Sequence, residues 1–187
     1  MNMDAIQALK GKTTSLSEFL KLEEEHCQLI NGKVIMTPAP TTDHQKIIRE
    51  LDRIFMKKVP DAELLFAPVD VFINEHNVFQ PDLLYVAEER KEIISKRGIE
   101  GAPDLVIEIL SPSTMLNDRY NKSAVYFEHG VKELWLVDPN NKTLEVHIEL
   151  PSAAKPPFLL LTDSGIVKST VLPKLNFELA DIFKILT

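Results

Sequence analysis

Two carboxylates could do chemistry because each breaks an apolar run. Asp82 lies in Gln80-Pro81-Asp82-Leu83-Leu84-Tyr85-Val86, and Glu108 lies in Ala102-Pro103-Asp104-Leu105-Val106-Ile107-Glu108-Ile109-Leu110. Both runs read as strands. Side chains alternate across a strand, so Asp104, Val106, Glu108 and Leu110 share one face, and Leu105, Ile107 and Ile109 share an apolar one. A carboxylate near the end of such a run is costly unless it is paired or holds a metal. Neighbouring strands lie ~4.8 Å apart, so carboxylates facing each other from two strands could share one cation. Oxygen-only ligation suits Mg²⁺ or Mn²⁺. Asp104 and Glu108 are four residues apart on one strand, hence ~13 Å apart, and cannot easily chelate one ion. Asp104 is therefore assigned to the mouth of the strand, as a loop or capping residue. As isolated residues, Asp82 and Glu108 are more simply explained by a buried salt bridge or a hydrogen-bonded edge carboxylate.

The segment after Glu108 supplies a cation. Asp118, Lys122 and Tyr126 are spaced as one helical stripe, and Tyr120, Ala124 and Phe127 form another, read as the core face. Lys122 has two readings. Either it is solvated or paired with Asp118 one turn back, or it points over Glu108, where it would orient water or offset charge developing on a phosphate. His44 falls in the first turn of a helix and leans toward that helix's buried face. It is a candidate ligand, base or phosphate contact, although a structural histidine is the simpler account. His26, His76, His129 and His147 match no zinc spacing. Asp70 is read as an exposed edge residue that could join the acidic cluster. Glu23-Glu24-Glu25 reads as a solvated helix end, and Glu88, Glu89 and Arg90 as loop charges. There is no Gly-rich phosphate loop and no Gly-x-Ser-x-Gly elbow.

The elements that must position these groups follow from turn and cap signals. Ser15 and Glu18 have capping-box spacing, which predicts a short helix over Leu16 to Glu24. Asn31-Gly32 between two apolar runs predicts a hairpin of Cys27 to Ile30 and Lys33 to Met36. Ile47, Ile48, Leu51, Ile54 and Phe55 give a helix its apolar face, with a cap at Thr42 or Asp43 and an end at Pro60. Strands are predicted over Leu64 to Ile73, Val78 to Val86 and Asp104 to Leu110. A helix over Met115 to His129, closed by Gly130, leads to a strand over Lys132 to Val137. Further strands follow at Thr143 to Leu150, Phe158 to Leu161 and Gly165 to Ser169, then a short helix around Leu179 to Ile185. Pro151 to Pro157 reads as a long surface loop. This order predicts an α/β (mixed α+β) fold, a central mixed sheet flanked by helices. An exposed sheet edge near Trp135 to Leu150 could pair two chains into a homodimer.

Bulk properties narrow the classes. The chain has 187 residues, 44% hydrophobic and 26% charged, which fits one globular domain over residues 1–187. Its one cysteine, Cys27, cannot form an intramolecular disulfide and reads as a buried or idle thiol, so a reducing cytoplasm is the simplest setting. Met1 to Leu20 shows no signal-peptide pattern, and no stretch approaches the ~18 apolar residues of a membrane span. The net charge of −7 runs against tight nonspecific nucleic-acid binding, which usually rests on a basic footprint. A carboxylate cluster neutralised by divalent metal would absorb part of that excess.

Longer segments carry a resemblance. Val69-Asp70-Val71, Gln80 to Leu84, Gly101 to Thr114, Asp118 to Lys122 and Gly130 to Pro139 closely resemble the Uma-two-type family of restriction-endonuclease-like proteins. Gln28 to Lys33, His44-Gln45 and Leu172 to Leu175 look like it too. The resemblance spans about Ser15 to Phe183 and implies the PD-(D/E)XK nuclease fold. It also implies Mg²⁺-dependent hydrolysis of phosphodiesters, with nucleic acid, DNA first, as partner. Carried over, Asp82 is the aspartate of the Pro-Asp motif and Glu108 the second acid. The usual lysine position two residues later is Leu110 here, and the resemblance gives that role to Lys122 on the next helix. A non-catalytic binding or assembly module on the same fold is the rival reading, and a small-molecule hydrolase using the same carboxylates is a third.

Overall fold

The computed structural model describes residues 12–22, 26–112, 115–149 and 157–186. Its described strands are β1 (Cys27–Ile30), β2 (Lys33–Met36), β3 (Leu64–Phe66), β4 (Val71–Asn74), β5 (Asn77–Phe79), β6 (Leu83–Tyr85), β7 (Leu105–Ile109), β8 (Glu133–Asp138), β9 (Thr143–His147), β10 (Leu159–Thr162), β11 (Ile166–Lys168) and β12 (Asn176–Glu178). The α-helices are α1 (Leu16–Phe19), α2 (Thr42–Lys58), α3 (Ser123–Glu128) and α4 (Ala180–Phe183). A π-helical turn, Asn117–Lys122, runs directly into α3.

Three sheets result. The largest has the order β10-β9-β8-β7-β6-β3. Its β7–β8 pair is parallel and the rest are antiparallel, which makes it a mixed sheet. Parallel neighbours need a crossover connection, and here the π turn and α3 supply it. A smaller sheet has the order β2-β1-β5-β4, and β11 pairs with β12 alone. The β1–β2 hairpin turns through Asn31 (φ 49°) and Gly32 (φ 71°), the left-handed pair that such a two-residue turn requires.

Each face of the large sheet carries its own core. On one face Leu105, Ile107, Ile109, Trp135 and Val137 pack under Ile47, Leu51 and Phe55 of α2 and under Phe177, Leu179, Ile182 and Phe183. On the other, Val106, Leu110, Leu134 and Leu136 pack against Val125 and Tyr126 of the crossover helix and against Ile30 and Phe79 of the small sheet. Glu108 shares the face of Val106 and Leu110 and so looks toward the crossover helix. Helix α2 is capped by Thr41, whose hydroxyl accepts the His44 N–H, and its last turn carries Lys57 and Lys58, favourable at a helix C-terminus.

The structure corrects several sequence expectations. The Leu64 to Ile73 run is two strands, β3 in the large sheet and β4 in the small one. The Val78 to Val86 run is likewise split into β5 and β6 at Gln80-Pro81. Proline lacks the N–H that would continue the ladder, so the chain changes sheets there. Tyr120 is 63% exposed and belongs to no core face; Val125 and Tyr126 fill that role. Trp135 and β9 are no sheet edge, since β8 and β9 are interior strands and β10 is the outer one. The first helix ends at Phe19, short of Glu24. Glu23 to Glu25, and residues 150–156 of the predicted Pro-rich loop and strand end, lie outside the described residues. Strand β12 was not foreseen.

Candidate functional site

The carboxylates meet where β6 begins and β7 ends. Antiparallel pairing sets Leu83 opposite Ile107, so one further step of the register sets Asp82 opposite Glu108 on the same face. Asp82 precedes the strand rather than lying inside it. The Ile109 N–H donates to its Oδ2 at 2.7 Å. Its Oδ1 lies 3.0 Å from His44 Nε2, which α2 delivers from its first turn.

Glu108 is 3% exposed. Its Oε1 accepts two hydrogen bonds, from Lys122 Nζ at 3.1 Å and from the Tyr126 hydroxyl at 2.9 Å. Lys122 Nζ also contacts Asp118 Oδ1 at 2.7 Å. The stripe Asp118, Lys122, Tyr126 is therefore turned inward, and all three side chains are buried. Lys122 is neither solvated nor paired with Asp118 alone; it bridges Asp118 and Glu108. The π turn carries Asp118 and Lys122, and Tyr126 follows on α3.

Electrostatics at this cluster are uneven. Burial pushes the Glu108 carboxyl up to about 8; Lys122 opposes this, while Asp118 and Asp82 add to it. Burial works against the charge on Lys122, yet the Asp118 and Glu108 carboxylates outweigh it and raise its pKa. Asp118 lies nearer the ammonium than Glu108 does, at 2.7 Å against 3.1 Å. Burial, followed by Glu108, raises Tyr126 well above the usual phenol value, so it stays a donor.

Two carboxylates, Glu108 and Asp118, contact one ammonium, and Asp82 stands opposite Glu108 across the β6–β7 pair, oxygen donors of the kind that suit a divalent ion. Among the described residues no group of three or more His, Cys, Asp or Glu side chains forms a metal cage. Two carboxylates are what Mg²⁺ commonly takes from a protein, with water and substrate phosphate filling the other positions.

Other candidates sit apart. Asp104 lies in the bend just before β7, at the mouth of the strand as expected, but fully buried. It accepts the Ala87 N–H at 2.8 Å and pairs with Arg90 at 3.0 Å and Lys132 at 2.7 Å. Asp70 accepts from Gln80 Nε2 at 2.9 Å. His147 contacts Glu145, which Arg119 grips with two hydrogen bonds. Cys27 is buried. Glu133 is a buried carboxylate that sequence reasoning passed over; it accepts from Trp135 Nε1 and from the Thr170 and Val171 N–H groups, tying β8 to the C-terminal segment. Tyr126 was also given no role, and its four-residue spacing behind Lys122 is the one signal that marks it.

A family model, Uma2, described as "Putative restriction endonuclease", matches residues 16–180. A crystal structure of a putative nuclease belonging to DUF820 from Anabaena variabilis ATCC 29413 superposes with a TM-score of 0.74 at 25% identity, covering 92% of this chain and 99% of that one. The uncharacterized protein sll1609 of Synechocystis is 26% identical over 121 residues, 62% of this chain and 68% of that protein. Among the described residues no helix is long and apolar enough to cross a membrane. The chain has the fold of that nuclease-like structure and belongs to the Uma2 family.

Proposed function

We propose that this protein is a Mg²⁺- or Mn²⁺-dependent nuclease that hydrolyses phosphodiester bonds, with DNA as substrate. The observation that carries this reading is the convergence of Asp82, Glu108 and Lys122 from two strands and a crossover helix, with a carboxylate excess around one cation. Asp82 and Glu108 would hold the ion. When bound there, a divalent ion supplies Lewis acidity, activating water and offsetting charge on the scissile phosphate. Lys122 adds a fixed positive charge beside Glu108, placed to orient water or to stabilise the phosphorane-like charge as it develops. His44 holds Asp82 through Oδ1, while the Ile109 N–H holds the other oxygen. Asp118 keeps Lys122 charged and aimed. The reading takes residues 1–187 as one domain acting in the cytoplasm, as a monomer or a homodimer.

The acidic balance of −7 favours a second reading, a nucleic-acid-binding or assembly module that kept the fold without the chemistry. Plasmid nicking separates the two. Wild type should nick with Mg²⁺ and not with EDTA. Lys122→Met, which keeps the side chain's length but loses its charge, should nick about 10²–10³-fold more slowly, the usual loss when one charge-stabilising donor is removed. DNA retained in a gel shift but never cut, under Mg²⁺ or Mn²⁺, would favour the binding module. Equal nicking by wild type and Lys122→Met would remove the lysine from the mechanism.

A further inference from the structure

We propose that Tyr126 is a positioning residue for the metal ligand Glu108. Its hydroxyl and the Lys122 ammonium occupy one carboxylate oxygen, Oε1, and so reserve Oε2 for the ion. The proposal rests on the metal-site reading above.

The geometry is specific. Both hydrogen bonds that the described residues give the Glu108 side chain end on Oε1, at 3.1 Å from Lys122 and 2.9 Å from Tyr126. A carboxylate oxygen has two acceptor directions, and these two donors fill them. With Oε1 held twice, rotation of the carboxyl group is blocked, and the remaining oxygen has a fixed direction. A fixed ligand loses little rotamer freedom when an ion binds.

Tyr126 is itself immobilised. Its ring is fully buried and meets Phe79 edge-on, centroids 5.1 Å apart at 82°. Its carbonyl accepts the Val131 N–H at 3.0 Å, fixing the backbone where the crossover helix ends. Phenylalanine would fill the same ring volume without bringing a hydroxyl into the core, where an unpaired hydroxyl is costly. The one hydrogen bond that hydroxyl donates among the described residues goes to Glu108. The core thus spends a polar group on orienting a carboxylate, as groups behind metal ligands do.

The test compares Mn²⁺ binding by calorimetry with metal-free thermal melting in the full-length protein. Tyr126→Phe keeps the ring and removes the hydroxyl. We expect its Mn²⁺ Kd to weaken about 10-fold, within the range known for losing a group behind a metal ligand, with the fold retained by circular dichroism. Phe79→Leu disturbs the ring's packing alone, and should lower the melting temperature more than it alters the Kd. A Tyr126→Phe protein that binds Mn²⁺ within twofold of a binding wild type would overturn the positioning role and leave the metal site standing. A Tyr126→Phe protein that fails to fold beside a folded Phe79→Leu would overturn it too, by assigning the hydroxyl to stability. A wild type that binds no Mn²⁺ would overturn the metal site and this proposal with it.

Discussion

Replacing Glu108 by glutamine should stabilise the metal-free protein at alkaline pH. Burial, with Asp118 and Asp82 nearby, holds the Glu108 carboxyl up to about 8 against an ordinary 4.5. Between those values the folded protein keeps a proton that the unfolded chain has released. Stability therefore falls as pH rises through that window and is unaffected by this group below it. Each pKa unit is worth about 1.4 kcal/mol, which sets a ceiling of about 5 kcal/mol; relaxation and water entry bring the expected cost to about 2–5 kcal/mol. Glutamine has the shape of the protonated acid and cannot ionise. In urea melts with EDTA, Glu108→Gln should match wild type near pH 5 and exceed it by about 2–5 kcal/mol at pH 9. Added Mg²⁺ should recover stability in wild type only, because the ion binds the folded carboxylate. Parallel curves from pH 5 to pH 9, or a wild type more stable than the variant at pH 9, would refute this reasoning.

Two further substitutions probe charges away from the carboxylate pair. Asp104→Asn removes the partner of Arg90 and Lys132, so it should lower stability by about 1–3 kcal/mol, since both cations can rehydrate; Mn²⁺ affinity should be unchanged. Glu145 is partly buried, which would raise its pKa, yet His147 and Arg119 hold it at about 2. Its contribution to stability is thus complete above about pH 4.5 and lost as pH falls toward 2, so Glu145→Gln should flatten the acid limb of urea midpoints measured between pH 6 and pH 2.

The hairpin and the strand faces were legible in the sequence because their signals are local. Asn31-Gly32 demands left-handed backbone, and Leu105, Ile107 and Ile109 alternate with Val106 and Leu110 wherever the strand sits. The divisions at Pro68-Val69-Asp70 and Gln80-Pro81 were not legible, because apolar alternation continues across a chain that changes sheets. Tyr120 was misplaced by a face count that assumed its stripe to be the inner one. The inward stripe is the one bearing Asp118 and Lys122, which looks solvent-facing by residue type; burial of those charges follows from their pairing with Glu108, and pairing is a tertiary fact. The juxtaposition of Asp82 and Glu108 could be expected from two anomalous carboxylates. The grip of His44 and the Ile109 N–H on Asp82 depends on how α2 and β7 meet, which spacing does not encode.

The central claim is that Asp82 and Glu108 together hold a divalent ion. Calorimetric titration with Mn²⁺ tests it most directly, run on wild type beside Asp82→Ala and Glu108→Ala. One saturable binding event is expected in wild type and none in either variant, with both variants folded by circular dichroism. Wild type showing no binding, or either variant binding as tightly as wild type, would contradict it.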